Sequence, residues 1–215
     1  MDLKLTEDGS QETFKYGLTI KFNPRTDHIV STNPEIFDIK KAAALYFWLN
    51  SAKLLNQGAH IWPLTVAEER AFGIDAFYLS ELHSGIKHCI DCLSEDKNSQ
   101  SAIINFGRHI STIHFIIRND ELNMIVQIGS SDIMGTFPYE VFLLTLIYQL
   151  VYSALRFNTH FDLETGEVLM QTSSIKISCN KALRVESNIP EILIDDFLDH
   201  NWELKLETKL LKLIS

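Results

Sequence analysis

The chain has 215 residues, 46% of them hydrophobic, which fits a single globular domain over residues 1–215 with a sizeable core. Its formal net charge of −9 argues against a general nucleic-acid-binding or anionic-membrane surface, because such surfaces need clustered lysine and arginine. Three cysteines without a regular framework argue against a secreted, cross-linked fold and favour the reducing cytoplasm.

The amino-terminal half is predicted to hold one strand and two helices. Residues 1–12 are polar, are expected to be flexible, and lack the apolar stretch of a signal peptide. Apolar residues alternate over Thr13–Phe22, which predicts a strand, and residues 23–27 have the composition of a turn. Apolar residues recur at helical spacing over Asp38–Leu55 and Phe77–Leu93, which predicts two helices.

The carboxy-terminal half is predicted to be rich in strands around one apolar helix. That helix, Val141–Leu155, is apolar on all sides but short for a membrane span, and Arg156 follows it at once, so we interpret it as a core helix. The segment Asn119-Asp120-Glu121 predicts a tight hairpin. Strands are predicted over Ser101–Phe106, Ile110–Ile117, Leu122–Ile128, Val168–Met170, Ser173–Cys179 and Trp202–Leu206. The chain is therefore predicted to be α+β, with one large mixed sheet around a buried central helix.

The segment Gly129–Pro138 is predicted to be a loop between a strand and the apolar helix. It reads Gly-Ser-Ser-Asp-Ile-Met-Gly-Thr-Phe-Pro, and Ser130, Asp132 and Pro138 resemble, at the same spacing, the nucleotide-binding loop of the thymidylate synthase family. That family, with the related pyrimidine-nucleotide hydroxymethylases, has a phosphate-binding arginine where this chain has Gly129. The segment thus resembles the family at Ser130, Asp132 and Pro138 but lacks the positively charged arginine.

Four further segments resemble the family in the same order, so the resemblance covers most of the chain. They are residues 47–62, 110–127 and 166–180, and the region of Phe197 and Trp202-Glu203-Leu204. The resemblance implies a three-layer thymidylate-synthase-like fold and a dimer that packs sheet against sheet. The partner would be a second copy or a paralogue, and a nucleotide-like small molecule would occupy the cleft. Neither a nucleic-acid nor a membrane partner is expected.

The resemblance places the family's catalytic groups on residues that lack the required chemistry. The family's nucleophile is a cysteine thiolate that adds to the pyrimidine ring. Its position falls at His109, and no cysteine lies between Leu93 and Val168. The family's proton-transfer glutamate falls at Ala44, which has no acid–base function.

Six residues are candidates for holding a ligand in the cleft. Asp132 and Asn180 match the family, Lys176 replaces its sugar-binding histidine, and Arg108 either restores one phosphate contact or is a surface arginine. Glu140 replaces the base-reading asparagine. It either accepts from an exocyclic amine or is a first-turn helix residue, and we prefer the second interpretation. The candidate ligand-binding residues are Arg108, Ser130, Asp132, Glu140, Lys176 and Asn180.

A catalytic alternative uses His109 with Ser111, which have the residue types of a base and a hydroxyl nucleophile and are predicted to share one strand face. No orienting acid is evident from spacing, although Glu140 or Asp132 could approach in the fold. We favour the interpretation that His109 and Ser111 are a polar pair lining a vestigial cleft. If the protein is catalytic, the candidate residues are His109, Ser111 and Glu140. No cofactor is expected, and folate would be needed only if the family's chemistry survived.

The cluster of His83, His88, Cys89 and Cys92 invites comparison with zinc sites, because His88 and Cys92 lie four residues apart on one helix face. Structural zinc sites usually add a distant second pair of ligands, and Cys179 stands alone. The pattern therefore predicts a half-buried helix and no metal site.

The expected function is that of a divergent, non-catalytic thymidylate-synthase-like protein that binds a nucleotide-like ligand or another protein. The alternative is a repurposed pyrimidine nucleotide C5 methyl- or hydroxymethyltransferase, or another nucleotide-processing enzyme using the same cleft. Loss of the nucleophile, the proton-transfer acid and the phosphate-binding arginine favours the first, because one electrostatic donor alone contributes on the order of 3 kcal/mol to catalysis.

Overall fold

The computed structural model describes residues 3–5, 11–24, 37–55, 76–107, 109–133 and 135–178, together with Lys205, Glu207 and Thr208. Within these residues, six strands form one sheet and three long helices accompany it. The strands are β1 (Leu3–Leu5), β2 (Gln11–Phe22), β3 (Ile103–Asn105), β4 (Ile110–Arg118), β5 (Glu121–Asp132) and β6 (Glu164–Ser178). The helices are α1 (Ile39–Leu55), α2 (Ala76–Glu95) and α3 (Phe137–Asn158). The predicted α+β class is confirmed.

The sheet is mixed, with the strand order β1-β2-β6-β5-β4-β3. The pair β5–β6 is parallel, and the other neighbours are antiparallel. Parallel neighbours need a crossover connection, and α3 supplies it between β5 and β6. By length and composition α3 could cross a membrane, but most of it is buried inside the fold, as in a central core helix.

Most predicted elements are present, with several corrections. Residues Leu3–Leu5, predicted to be flexible, form an edge strand, and the strand predicted over Ser101–Phe106 is limited to Ile103–Asn105. The two pieces predicted near 168–170 and 173–179 are one continuous strand, β6. Of the strand predicted over Trp202–Leu206, the structure describes Lys205 alone, which is helical.

The hairpin between β4 and β5 matches its prediction. Asn119 and Asp120 have φ angles of 54° and 61°, and Arg118 pairs with Glu121. Positive φ at both central residues is typical of the two-residue type I′ turn, which is common in hairpins because its twist matches that of the flanking strands. Asn and Asp tolerate this conformation better than most residues do.

A bend crosses the sheet near the ends of three strands. In β5 the buried residues Met124, Val126 and Ile128 alternate regularly, but the next buried residue is Ser131, three positions later. The same slip separates Thr172 from Ile175 in β6 and Ile113 from Ile110 in β4. In β4 the extra residue is Ser111, where the register shifts as in a β-bulge. The slips of β5 and β6 lie opposite each other, so these two strands stay paired one to one while their side chains exchange faces, whereas the extra residue of β4 is unpaired against β5.

Glycine residues lie along the bend. Gly17 of β2 has a φ of 62°, a conformation that glycine adopts without steric cost, and its row in the sheet includes Ser173 and Gly129. The predicted loop Gly129–Pro138 is therefore wrong over its first four residues, which continue β5 and pair with β6 through Asp132↔Lys176. Gly129 interrupts the apolar alternation of β5, and such a glycine inside a strand marks an irregularity of the strand and not its end.

At the other end of the parallel pair, Tyr148 of α3 joins β5 to β6. Its hydroxyl donates to the Leu122 carbonyl at 2.6 Å and accepts from the Gly166 N–H at 3.1 Å. Beside it, the Asn123 side-chain oxygen accepts from the Glu167 N–H at 3.0 Å. These bonds satisfy backbone groups where the β5–β6 register shifts between Leu122 and Met124.

Candidate functional site

The site is centred on Glu140, a buried carboxylate in the first turn of α3. The helix begins at Phe137 with a proline in its first positions, where a missing N–H costs nothing. Negative charge is favoured at a helix amino terminus, so the first turn suits a glutamate. Glu140 lies in this first turn, and its side chain is only 6% exposed.

Both carboxylate oxygens of Glu140 accept hydrogen bonds, one from His109 directly before β4 and one from Ser131 on β5. The His109 ring nitrogen Nε2 lies 2.8 Å from Oε1, and the Ser131 hydroxyl donates to Oε2 at 2.6 Å. Charge-assisted bonds of this length are among the stronger ones in proteins. The His109 side chain is 31% exposed, so it separates the carboxylate from solvent while keeping one edge accessible. His109 and Glu140, the two residues that the resemblance assigned to the nucleophile and the base reader, are thus bonded to each other.

The structure separates Ser111 from His109, although the two were predicted to share a strand face. The Ser111 hydroxyl donates to the Gln127 carbonyl at 3.0 Å, and the residue lines a concavity on the opposite side of the sheet. The cause is the bulge at Ser111, which turns its side chain away from α3. His109 therefore has an acid partner but is not bonded to the hydroxyl that would serve as its nucleophile.

The other predicted ligand-binding residues form a second, more exposed group. Asp132 accepts from the Gly135 N–H at 3.2 Å and lies 3.8 Å from the Lys176 ammonium. It thereby supports the turn that leads into α3. Ser130 is exposed on β5. Arg108 and Asn180 lie outside the described residues.

Ser131 was missed by sequence reasoning, because the family spacing directed attention to its neighbour Ser130. The bend in β5 determines which of the two serines faces the helices. Regular alternation after Ile128 would turn Ser130 toward the helices, whereas the slip at Gly129 turns Ser131 there instead. The isolated glycine in the strand pattern was the available signal.

The outer face of the sheet, away from α3, has an uncharged centre that was also missed. Thr112, Gln127, Gln171 and Thr19 are neighbours in one row across β4, β5, β6 and β2. The adjacent row contains Ile125 paired with Leu169, both half-buried. Charged residues lie toward the rim, including an ion pair between Lys21 and Glu167. We call this surface the outer face.

A concavity of about 410 Å³ lies on the outer face at the bend. Its lining includes Gly17, Ser111, Gln127, Gly129, Gln171 and Ser173. The small residues of the bend leave the space, and the two glutamine amides border it with donors and acceptors. The centre of the outer face is therefore concave and uncharged.

His114, on the outer face of β4, is expected to make the protein less stable in mild acid. Its Nε2 atom is buried and has no hydrogen-bond partner within the described part of the chain. Burial lowers the pKa of His114, against a hydrogen bond with the Gln100 backbone and in concert with the charge of Arg118. The unfolded chain then binds a proton more readily than the folded one, so stability falls as pH decreases through about 6.5.

The pH dependence of unfolding checks this expectation for His114. Urea titrations between about pH 7.5 and 5.5 should show a smaller loss of stability in His114→Leu than in the original protein, because the variant lacks this proton-binding group. His160, which bonds to the Leu93 carbonyl at 2.8 Å, provides a control position in His160→Gln. Parallel pH profiles for the original protein and His114→Leu would contradict the assignment.

Neither the family models nor the curated proteins compared with this chain match it. Within the described ranges, no group of three or more His, Cys, Asp or Glu residues is gathered as it would be to hold a metal ion. The resemblance to thymidylate synthases therefore depends on the residues of the chain themselves. The chemistry available at the site is that of a buried carboxylate, one partly exposed imidazole and a serine hydroxyl.

Proposed function

We propose that this protein is a non-catalytic, thymidylate-synthase-like module that acts by associating through the outer face of its sheet with a second copy of itself. The observation that carries the non-catalytic part is the closed network of His109, Glu140 and Ser131. Both oxygens of the buried carboxylate are engaged by the protein itself. A base-reading group must be accessible to its ligand, whereas Glu140 is only 6% exposed and both of its oxygens are bonded within the protein.

The charge distribution supports association through the outer face. Two copies that each carry a net charge of −9 repel one another, so they approach most favourably through a surface without charge. The centres of protein interfaces are depleted of charged residues. The outer face fits this description at Gln127, Gln171, Ile125 and Leu169, with its charges toward the rim.

The polar groups of the outer face suit a symmetric partner. A two-fold interface brings the same patch of both copies together, so the patch must be complementary to itself, with residue i contacting residue j as j contacts i. A glutamine amide has both donors and an acceptor, and Gln127 and Gln171 are adjacent in the sheet. The half-buried Ile125 and Leu169 would lose their remaining exposure in such a contact.

The mass of the protein in solution tests the proposal. Sedimentation across a concentration series is expected to show a dimer, and Gln127→Glu with Gln171→Glu should weaken it at least about 100-fold, or roughly 2.7 kcal/mol. The variant is nearly isosteric, but it places four like charges at the centre of the contact. The control, Ser84→Glu with Asn98→Asp, adds the same two charges per chain at exposed positions on and after α2. A monomer at every concentration would overturn the proposal.

Ligand screening tests the non-catalytic part separately. Deoxyuridylate at millimolar concentration is expected to leave the unfolding temperature unchanged, because a ligand that binds the folded state stabilises it in proportion to its occupancy. Stabilisation at micromolar concentration would show a working nucleotide cleft. That outcome would leave association through the outer face intact, so the two parts fail independently.

The second candidate is an enzyme, and the contact between His109 and Glu140 favours it. A carboxylate 2.8 Å from an imidazole orients the ring and supports its action as a base. A nucleotide-processing reaction in the cleft would use His109 as the base, with the nucleophile provided by water or the substrate, since Ser111 faces away. Turnover of deoxyuridylate with methylene-folate, abolished in His109→Gln, would establish this candidate in place of the first.

A further inference from the structure

An exposed tyrosine lies beside the concavity of the outer face. Among the described residues, two large hydrophobic side chains are mostly exposed, Tyr16 at 66% and Phe161 at 71%. Tyr16 directly precedes Gly17, which has a positive φ at the bend and lines the concavity. Because an aromatic ring in water carries a free-energy cost that burial removes, Tyr16 is a candidate for a contact with another molecule.

Strand pairing places the Tyr16 side chain on the outer face. Tyr16 is opposite Ser174, and the residue after Ser174, Ile175, is opposite Ser131. Ser131 bonds to Glu140 of α3, so Ser131 and Ile175 point to the helix side of the sheet. Side chains alternate along a strand, and directly opposite residues share a face. Ser174 and Tyr16 therefore point away from α3, and the small serine leaves the tyrosine ring largely uncovered.

The Tyr16 ring does not line the concavity of its own chain. The lining includes the next three residues of β2, Gly17, Leu18 and Thr19, together with residues of β4, β5 and β6. The volume of about 410 Å³ is ample for one aromatic side chain, since a cavity of about 150 Å³ accommodates benzene. The outer face thus has a projecting aromatic ring and, next to it, a concavity large enough to receive one.

The lining of the concavity suits a phenol group. Gly17 and Gly129 have no side chains, so a flat ring can pack closely against the backbone there. Gln127 and Gln171 border the concavity with amides that can accept from a tyrosine hydroxyl or donate to it. Of the described residues that line it, none is charged, so a neutral ring enters without desolvating an ion.

A second copy of this chain is the partner that fits both features. In a two-fold contact, Tyr16 of one copy reaches the concavity of the other, and the second Tyr16 reaches the first concavity in return. The uncharged lining is also where two copies with a net charge of −9 approach with the least repulsion. Tyrosine is enriched at the centres of protein interfaces, where a few buried aromatic side chains provide most of the affinity.

We propose that Tyr16 inserts into the concavity of a second copy and anchors the association of the two outer faces. This inference depends on the proposed association and identifies the side chain on which that association mainly depends. Two insertions form in each dimer, because each copy donates one ring and receives one.

Removal of the ring tests the anchor. In sedimentation across a concentration series, Tyr16→Ser is expected to weaken the dimer at least about 100-fold, because both insertions are lost at once. Phe161→Ser is the matched control, since it removes the other exposed ring, which lies between α3 and β6. It should leave the dimer unchanged. Circular dichroism verifies that both variants are folded.

Filling the concavity provides a second test with the tyrosine left in place. Ser173 is exposed and lines the concavity, so the indole of Ser173→Trp is expected to occupy the space and to weaken the dimer at least about 100-fold. An equimolar mixture of Ser173→Trp and Tyr16→Ser should associate at least about tenfold more tightly than either variant alone. In that heterodimer, the remaining tyrosine of one chain enters the remaining concavity of the other.

The outcomes separate the anchor from the association itself. The anchor is wrong if Tyr16→Ser dimerises as tightly as the original protein, or if the mixture associates no more tightly than its components. Either result, with a dimer that Gln127→Glu and Gln171→Glu still disrupt, would leave association through the outer face intact. An original protein that is monomeric at every concentration would overturn both proposals.

Discussion

Gly166→Ala is expected to destabilise the protein by about 3 kcal/mol, at the upper end of the usual range for overpacking in a core. A Cβ atom at this position would lie 2.6 Å from both the Leu122 carbonyl oxygen and the Asn123 side-chain oxygen. The first of these belongs to the backbone, which cannot move without disturbing the parallel pairing of β5 and β6. Displacement of Gly166 also breaks its N–H bond to Tyr148.

Chemical denaturation measures this effect, and Tyr148→Phe is the matched comparison. The phenylalanine keeps the buried ring but removes the hydroxyl that bonds to Leu122 and Gly166, at an expected cost of about 1–2 kcal/mol. Because both changes act on one network, the double variant should cost less than the sum of the single ones. A change below about 0.5 kcal/mol for Gly166→Ala would show that β6 shifts freely at this point.

His109→Ala is expected to cost about 3 kcal/mol of folding stability, the upper end of the range for a hydrogen bond to a charged group. Glu140 is 6% exposed and would keep the hydrogen bond from the Ser131 hydroxyl, with its carboxylate poorly solvated. The loss is moderated by water that enters where the partly exposed His109 ring has been.

A double-mutant cycle separates the charge effect from simple packing. In His109→Ala with Glu140→Gln, the buried group is a neutral amide, so the double variant should recover at least about 1 kcal/mol relative to the sum of the single changes. Ser131→Ala removes a hydroxyl donor and should cost about 1–2 kcal/mol. Strict additivity of His109 and Glu140 in urea unfolding would contradict a coupled network.

The elements that could be predicted from sequence are those whose pattern is local. Alternation over β4 and β5, the Asn119-Asp120 turn and the apolar α3 each follow from neighbouring residues, and each is present. The contact between His109 and Glu140 joins residues 31 positions apart, so sequence supplied the two candidates but not their bond. The bend was interpreted as a loop because glycine and serine are common to bulges and turns.

The outer face could not be anticipated for a different reason. Gln127 and Gln171 occupy exposed strand positions, where polar residues are ordinary, and nothing in the chain indicates that they are adjacent. Their pairing depends on the parallel register of β5 and β6, two strands that are separated in the sequence by the crossover helix α3.

The bend also constrains how this sequence can change by insertion or deletion. Loss of Ser111 alone would remove the extra residue of β4 and restore regular alternation, so Ile110 would stay on the core side opposite Ile128. Loss of Gly129 alone would instead put Ser130–Asp132 one residue out of register with their β6 partners Ser174–Lys176. In any lineage of this protein, the lengths of β5 and β6 on either side of Gly129 and Ser173 should therefore change together, whereas the bulge at Ser111 can be lost independently.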